Sequence, residues 1–294
     1  MKPTKLIGTG TALVTPFNTD GSVDYKSLEK LVNFQIEKGI DYLVVMGTTG
    51  ESATLNRDEK KAVIKCVVDT AVNRVPIVMG IGGNNTLEVA KSASIADVDG
   101  IEAILSVCPY YNKPSQNGIY EHYKAVAEAS QRPVLLYNVP GRTGVNMKAE
   151  TSLRLANDCK NIIGVKEASG NLDQIGTIIK NKPTDFLVIS GDDSLTLPTI
   201  ALGADGVISV VSNAYPKQFS DMIRFCLKGD FASARPLHYS LTEFIEALFA
   251  EGSPSGIKAA LEVMGICKNE FRLPVVNVSN TMYQHIEKLV KSIK

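Results

Sequence analysis

Short runs of apolar, β-branched residues recur along this chain about every 30 residues, and stretches with helical spacing of apolar residues lie between them. Short buried strands that alternate with helices form parallel sheets with right-handed crossovers. The chain has eight such runs, and eight βα units close into an α/β barrel of the (β/α)8, or TIM, type. A doubly wound open sheet is the alternative architecture. The predicted strands are residues 7–14, 42–46, 75–81, 103–108, 133–139, 162–165, 186–190 and 206–211.

The segments between the runs carry helix start and stop signals. An acidic start at Asp24 and a stop at Gly39 predict a helix over residues 24–38. Asn56, with Glu59 three residues later, has the pattern of a capping box at the start of the next helix.

The last part of the chain has only helical patterns. Residues 231–250, 255–267 and 279–292 are predicted helices, separated by breaks at Gly252, Pro254 and Pro274. We therefore predict a barrel over residues 1–229 that carries the active site, and a helical extension over residues 230–294 that packs on it.

Charge and composition exclude several classes of function. Lys plus Arg and Asp plus Glu both total 31, so no net field attracts nucleic acid. No apolar run approaches the roughly 20 residues that span a bilayer, and the N-terminus lacks the apolar core of a signal peptide. We expect a cytoplasmic protein without a membrane partner. The five cysteines and three histidines are scattered without metal-ligand spacing, so no metal site is expected.

Lys166 is the most unusual of the polar residues that follow the predicted strands. In a parallel barrel these positions meet at the carboxyl-terminal rim, where active sites form. Lys166 directly follows the apolar run 162–165, whereas most other lysines fall on amphipathic helices or in loops. Removal from water disfavours the ammonium form and leaves a free amine that can attack a carbonyl carbon. The position therefore predicts a Schiff base between Lys166 and a carbonyl substrate.

Lys166 and Lys258, the two lysines in partly apolar sequence contexts, also have structural interpretations. Lys166 could instead be a strand-end residue paired with Glu167 or Asp192. For Lys258, within the helical run 256–261, we favour a side chain that buries its stem and keeps its ammonium in water.

The turn over residues 47–50 could bind a small anion. Its backbone N–H groups and the hydroxyls of Thr48 and Thr49 suit a carboxylate or a phosphate. A tight turn that needs glycine for its dihedral angles explains the pattern equally well.

Tyrosines and an arginine follow the fourth and fifth predicted strands. Tyr137 would lie beside Lys166, where a phenol can relay protons, and Tyr110 and Tyr111 follow the fourth strand. Arg142 stands in a Pro-Gly-Arg-Thr-Gly loop and could hold a substrate carboxylate. The alternatives are amphipathic tyrosines at the rim and an exposed loop arginine.

Four motifs together resemble the pyruvate-dependent class I aldolases related to N-acetylneuraminate lyase. They are Gly47-Thr-Thr-Gly-Glu51, Tyr137-Asn-Val-Pro-Gly-Arg-Thr-Gly144, Gly164-Val-Lys-Glu-Ala-Ser169 and Ser190-Gly-Asp-Asp193. Their order and spacing match the family over residues 8–211. Pro-Gly-Arg after Tyr137 favours the branch that condenses pyruvate with L-aspartate 4-semialdehyde, in the diaminopimelate route to lysine, over the sialic acid lyases.

The resemblance implies a role for each matching residue. Lys166 would form the Schiff base with pyruvate, so no other cofactor is expected. Thr48 and Thr49 match positions that contact the pyruvate carboxylate and relay protons, Tyr137 matches the proton shuttle, and Tyr111 matches a relay hydroxyl that a neighbouring subunit supplies. Arg142 would hold the carboxylate of the semialdehyde, and Gly191 and Ile208 match lesser site positions.

The resemblance also implies an assembly and a regulator. The family is commonly a homotetramer, and a borrowed Tyr111 makes a dimer the minimum catalytic unit, so a dimer of dimers is expected. Many members are inhibited by lysine at a dimer-interface cleft, and the matching positions are Ser52, Ala53, Arg57, Lys60, Asn84, Glu88 and Tyr110. Because sensitive members often have histidine in place of Arg57 and Lys60, feedback by lysine is a hypothesis that a titration of initial rates with lysine would test.

Two alternative functions stay open. A lyase acting on N-acetylneuraminate or another 2-keto acid would keep Lys166 and Tyr137 and change the second substrate. A non-catalytic barrel that binds a keto acid belongs to another class, since a fold does not imply turnover. The combination of an amine with a hydroxyl relay argues against it, because a binding protein needs no such set.

Overall fold

The structure, a computed structural model, describes residues 4–96 and 99–293. In these residues eight β-strands alternate with helices, and further helices follow the last strand. The strands are β1 (Gly8–Ala12), β2 (Tyr42–Val45), β3 (Ile77–Gly80), β4 (Ile101–Val107), β5 (Val134–Asn138), β6 (Ile162–Glu167), β7 (Leu187–Ser190) and β8 (Gly206–Ser209). The helices are α1 (Tyr25–Glu37), α2 (Arg57–Ala71), α3 (Thr86–Ser94), α4 (Gln116–Ala129), α5 (Pro140–Thr143), α6 (Ala149–Asp158), α7 (Leu172–Asn181), α8 (Thr196–Ala201), α9 (Pro216–Leu227), α10 (Phe231–Ala250), α11 (Ser255–Val263) and α12 (Asn280–Ser292).

The strands follow one another in sequence order around a closed sheet. The pair β1–β2 and the successive pairs from β3–β4 to β7–β8 are parallel. Every residue of β2, β5 and β7 is buried, as strands covered on both faces require. The prediction of a (β/α)8 barrel is confirmed, and the doubly wound open sheet is excluded.

Local capping determines where the first two predicted helices begin. The side chain of Asp24 accepts a hydrogen bond from the Ser27 N–H at the start of α1. At α2, Asn56 accepts from the Asp58 and Glu59 N–H groups, and Glu59 Oε2 accepts from the Asn56 N–H at 2.9 Å. Each cap satisfies backbone donors that have no partner inside the helix, so the capping box predicted from sequence is confirmed.

The C-terminal helices match the prediction except at one end. Helix α10 has the predicted bounds, and α12 begins directly after its N-cap, Ser279. Helix α11 ends at Val263 rather than residue 267, because Gly265 adopts a left-handed φ of 67°. The Ile266 N–H then donates to the Leu261 carbonyl at 2.9 Å, which closes the helix as a left-handed glycine cap does.

The chain divides into two compact units. One unit joins the segment ending at Gly8 to Pro76–Ile208 and contains β3 to β7. We name it the larger-strand unit because it contains the larger number of complete strands. The C-terminal unit joins Thr9–Val75 to the segment beginning at Ser209 and contains β2, α1, α2 and α9 to α12. In the C-terminal unit α10 packs on α9, α11 and α12, and the rings of Tyr215 and Phe244 meet edge to face at 5.0 Å. A boundary between a barrel over residues 1–229 and an extension over residues 230–294 stays a prediction.

Candidate active site

Lys166 and Tyr137 lie side by side at the ends of adjacent strands. In the register of β5 with β6 they are direct Cα partners, so both side chains leave the same face of the sheet. Lys166 is 7% exposed, and its Nζ lies 4.2 Å from the centroid of the Tyr137 ring. An amine and a phenol therefore share one largely dehydrated position, as the sequence predicted.

Gly191 leaves room for the lysine side chain. It follows β7, and its N–H donates to the Glu167 carbonyl at 2.8 Å. A Cβ atom at this position would lie 2.7 Å from Ala168 Cβ and 2.9 Å from Lys166 Cε. Only glycine avoids this collision, which gives the predicted site position a physical reason.

The alternative in which Lys166 is a paired structural lysine is wrong. In residues 4–96 and 99–293 no ion pair joins Lys166 to Glu167 or Asp192. Glu167 instead accepts hydrogen bonds from Asn138, the Ser169 N–H and Gln174. Sequence analysis missed this buried polar network. The available signal was strand alternation, which places Asn138 and Glu167 on the sheet face opposite Tyr137 and Lys166.

Three other predicted site residues of the larger-strand unit differ in exposure. Tyr111 is 84% exposed and has a φ of 74°, an unusual backbone for a bulky side chain. Arg142 lies on the short helix α5 and is also exposed. Ile208 is buried in β8. The Tyr111 side chain therefore extends into solvent rather than packing against its own chain.

The segment with Thr48 and Thr49 forms a short 3-10 turn, Thr48–Gly50, after β2. Thr48 is exposed and Thr49 is buried. The Thr15 hydroxyl donates to the Gly50 carbonyl at 2.7 Å and fixes the turn. The idea that its glycines supply special dihedral angles is wrong, because the positive φ values fall on Met46 (61°) and Glu51 (50°).

Comparison with known proteins gives full-length matches. The 4-hydroxy-tetrahydrodipicolinate synthase of Parabacteroides distasonis is 53% identical over 293 residues, which cover 100% of this chain and 99% of that protein. The pyruvate complex of the chloride-inhibited dihydrodipicolinate synthase of Acinetobacter baumannii superposes with a TM-score of 0.94 at 40% identity, covering 97% of this chain and 98% of that one. The lysine-bound enzyme of Cyanidioschyzon merolae superposes with a TM-score of 0.94 at 39% identity, covering 98% of each chain.

The family model of the dihydrodipicolinate synthetase family matches residues 5–293. The chain belongs to this family. Membership in the dihydrodipicolinate synthetase family agrees with the four motifs quoted from the sequence, since all of them fall inside the matched residues.

In this member of the dihydrodipicolinate synthetase family, Lys258 is fully buried, so the prediction of a solvent-seeking ammonium is wrong. Its Nζ donates to Glu51 Oε1 at 2.5 Å and to the Glu270 carbonyl at 2.8 Å. Burial lowers the pKa of Lys258, and the adjacent Glu51 carboxylate opposes that shift. Glu51 ends the turn with Thr48 and Thr49, so α11 is tied to this turn. The sequence signal was Lys258 inside the apolar run 256–261, and it does not identify Glu51, which stands among glycine, threonine and serine residues, as the partner.

The positions for which the resemblance implied a lysine site occur in both units. In the C-terminal unit Ala53 and Arg57 are exposed, and Ser52 and Lys60 are half-buried. In the larger-strand unit Asn84, Glu88 and Tyr110 are exposed, and Asn84 Nδ2 donates to the Tyr110 carbonyl at 3.4 Å. The second set therefore supplies a carboxylate, an amide and a phenol that are all exposed.

The side chains and helices of the described part of the chain show neither a metal centre nor a membrane-spanning segment. There, no group of three or more His, Cys, Asp and Glu side chains is arranged to hold a metal ion. Among the helices of residues 4–96 and 99–293, none combines the length and apolar character that crossing a membrane requires.

Proposed function

We propose that this protein condenses pyruvate with L-aspartate 4-semialdehyde to give 4-hydroxy-tetrahydrodipicolinate, in the diaminopimelate route to lysine. The observation that carries the proposal is the buried amine of Lys166 beside the Tyr137 phenol, with Gly191 leaving space for the lysine side chain. The name and 53% identity of the Parabacteroides distasonis relative support the same reaction.

The first half of the reaction would use Lys166 as a nucleophile. Its neutral amine attacks the ketone carbon of pyruvate. The ketone oxygen takes one proton from the amine and one from the hydroxyl relay and leaves as water, so a protonated imine forms on Nζ. The imine draws electrons from the methyl group, so loss of a methyl proton gives an enamine. Tyr137, together with Thr48 and Tyr111, would relay these protons, and Thr49 would help hold the pyruvate carboxylate.

The second half would join the two substrates. The enamine carbon adds to the aldehyde carbon of the semialdehyde, whose oxygen takes up a proton. The amine of the added substrate then attacks the imine carbon, which closes the ring and releases Lys166. Arg142 would bind the carboxylate of the semialdehyde through its guanidinium, and Ile208 would line the site.

The covalent lysine adduct would replace an external cofactor. The scheme makes and breaks bonds between carbon, nitrogen and oxygen atoms of Lys166 and the substrates. Hydroxyl groups move the protons. The partners would therefore be two small molecules, with neither a nucleic acid nor a membrane surface required. The balanced charge of 31 basic and 31 acidic residues supports this, and we place the protein in the cytoplasm.

We also propose a homotetramer built as a dimer of dimers. Tyr111 supports it, because its side chain is exposed and its φ is held in the left-handed region. A neighbouring subunit would then receive this hydroxyl. Light scattering would detect a particle of four chain masses; a catalytically active monomer would contradict the proposal.

Regulation by lysine is proposed for the surface with Asn84, Glu88 and Tyr110. The Glu88 carboxylate suits the effector's ammonium and the Asn84 amide suits its carboxylate. The lysine-bound Cyanidioschyzon merolae relative supports such a site. Initial rates that stay constant up to millimolar lysine would exclude the regulation.

A substrate comparison tests the main proposal. Purified protein would receive pyruvate with L-aspartate 4-semialdehyde in one assay and N-acetylneuraminate in another. Consumption of the semialdehyde that depends on pyruvate, with no cleavage of N-acetylneuraminate, is expected. Cleavage of N-acetylneuraminate alone would establish the lyase alternative, and no turnover of either would favour a binding protein.

A further inference from the structure

Glu167 is a buried carboxylate that the proposed chemistry does not use. It follows Lys166 in β6, so its side chain leaves the opposite face of the sheet from the amine. It is 1% exposed, and burial raises its pKa. A buried carboxylate is costly unless its oxygens are hydrogen-bonded, so its partners indicate what it does.

The two oxygens of Glu167 are held by three donors. Asn138 Nδ2 lies 3.1 Å from each oxygen, the Ser169 N–H donates to Oε1 at 2.8 Å, and Gln174 Nε2 donates to Oε2 at 3.1 Å. These donors come from the end of β5, from the loop after β6 and from α7. The carboxylate therefore joins three separate elements.

Two of these donors, the side chains of Asn138 and Gln174, also bind residues 146 and 147. Asn138 Nδ2 donates to Asn146 Oδ1 at 2.7 Å, and Asn138 Oδ1 accepts from the Met147 N–H at 2.9 Å. Gln174 Nε2 lies 3.2 Å from both Asn146 Oδ1 and the Met147 carbonyl. Residues 138 and 146–147 are thus tied together, and the chain between them forms a closed loop.

This closed loop carries Arg142. Helix α5 occupies its middle, and Gly144 reverses the chain with a left-handed φ of 73°. Both ends of the loop are fixed at Asn138, at the end of β5. The backbone that carries the Arg142 guanidinium is therefore held in a defined position.

The negative charge determines the orientation of the amides. The Asn138 NH2 group is shared between Glu167 and Asn146 Oδ1, which leaves the Asn138 oxygen free to accept from the Met147 N–H. A glutamine at position 167 would place an N–H donor against the N–H donors of Asn138, Ser169 and Gln174. At least one hydrogen bond would then be lost, and charge-assisted bonds to the others would weaken.

We propose that Glu167 is a positioning residue that sets the affinity for the second substrate by orienting the Asn138 and Gln174 amides, which tie the two ends of the Arg142 loop together. This inference rests on the proposed function, because it takes Arg142 as the group that binds the semialdehyde carboxylate. Glu167 touches no reacting atom, so formation of the pyruvate adduct on Lys166 does not depend on it.

The test compares E167Q and Q174A with the wild type and with N181A. Asn181 is an exposed amide on the same helix as Gln174 and bonds only to the Thr177 carbonyl of its own helix. For each protein, KM is measured separately for the two substrates, borohydride trapping measures the pyruvate adduct, and hydrogen exchange follows the amides of residues 139–147.

E167Q is expected to raise KM for the semialdehyde by about tenfold, the effect of losing roughly one charge-assisted hydrogen bond. KM for pyruvate and the trapped fraction should stay within about twofold, and exchange over residues 139–147 should accelerate. Q174A should change the same quantities in the same direction by less, because it removes a donor and leaves the carboxylate in place. N181A should match the wild type.

Three results would overturn the inference. An unchanged KM for the semialdehyde despite faster exchange would show that the loop does not set affinity. Equal increases of both KM values, or loss of the adduct in E167Q alone, would show that Glu167 merely supports β6. A wild-type protein that itself fails to trap pyruvate would refute the proposed function, a failure distinct from the other two.

Discussion

A side chain at position 191 would occupy the volume in which the Lys166 side chain lies. Glycine at this position is usually interpreted as a turn residue, and the sequence alone gave no reason to connect it with a lysine 25 positions earlier. Strand pairing brings the two together, since Lys166 pairs with Ile189 in the register of β6 with β7. The reason for Gly191 therefore depends on the three-dimensional structure.

The variant G191A should impair adduct formation without unfolding the protein. The new methyl group would meet Lys166 Cε and Ala168 Cβ at less than 3.0 Å, so the lysine side chain must move. Overpacking of this kind costs about 1–3 kcal/mol, and we expect kcat/KM to fall at least about tenfold. The control is G176A, where an added Cβ finds its nearest neighbour at 3.9 Å. An active G191A variant would contradict this account of the site.

His122 should make the stability of the protein depend on pH. It is 3% exposed on α4, its Nδ1 lies 2.9 Å from the Thr86 hydroxyl, and burial lowers its pKa to about 4. The unfolded chain binds a proton at this residue below pH of about 6.5, whereas the native state does so only below about 4. Acidification through this window therefore favours unfolding, by up to about 3 kcal/mol.

Urea unfolding of H122Q between pH 7 and pH 4 checks this prediction. The variant should lose less stability than the wild type across the window. H285Q, which replaces a half-buried histidine of α12, is the control and should follow the wild-type profile. Parallel pH profiles for the wild type and H122Q would show that His122 does not contribute.

At the scale of elements, local signals predicted the starts of α1, α2, α10, α11 and α12, whereas long-range contacts were not predicted. Asn56 with Glu59, and Ser279 before α12, carry their information within one helical turn, so sequence sufficed. The ion pair of Lys258 with Glu51 joins residues 207 positions apart. No spacing rule links such positions, because only the folded chain brings them together.

Helix α11 should stabilise the protein through this buried ion pair. Removing one partner leaves an uncompensated charge, so K258M should lower the free energy of unfolding by about 3–5 kcal/mol. Adding E51Q to K258M should recover part of the loss, because it removes the unpaired carboxylate. The control K65M breaks the exposed pair of Lys65 with Asp69 and should cost less than about 1 kcal/mol.

Urea denaturation of the wild type, K258M, E51Q, the double variant and K65M gives these values. The double variant distinguishes a coupled pair from two independent packing defects. If the two single effects simply add, Glu51 and Lys258 do not stabilise each other, and the link between α11 and the turn with Thr48 and Thr49 has no energetic support.

At the scale of the whole molecule, the order of strands could be predicted and the division into compact units could not. Alternating strands and helices leave few topologies with right-handed crossovers, and eight repeats favour closure. The compact units, by contrast, each combine two segments that are far apart in the sequence. Their membership depends on which helices pack together, as α9 and α10 do, and periodicity does not contain that information.

The measurement that most directly tests the account is reductive trapping on Lys166. The protein is incubated with pyruvate, reduced with borohydride, digested and analysed by mass spectrometry. The peptide with Lys166 should gain the mass of the reduced pyruvate adduct, while the peptide with Lys258, which is also buried, stays unmodified. Folded, active protein whose Lys166 peptide remains unmodified would contradict the central claim that this amine is the nucleophile.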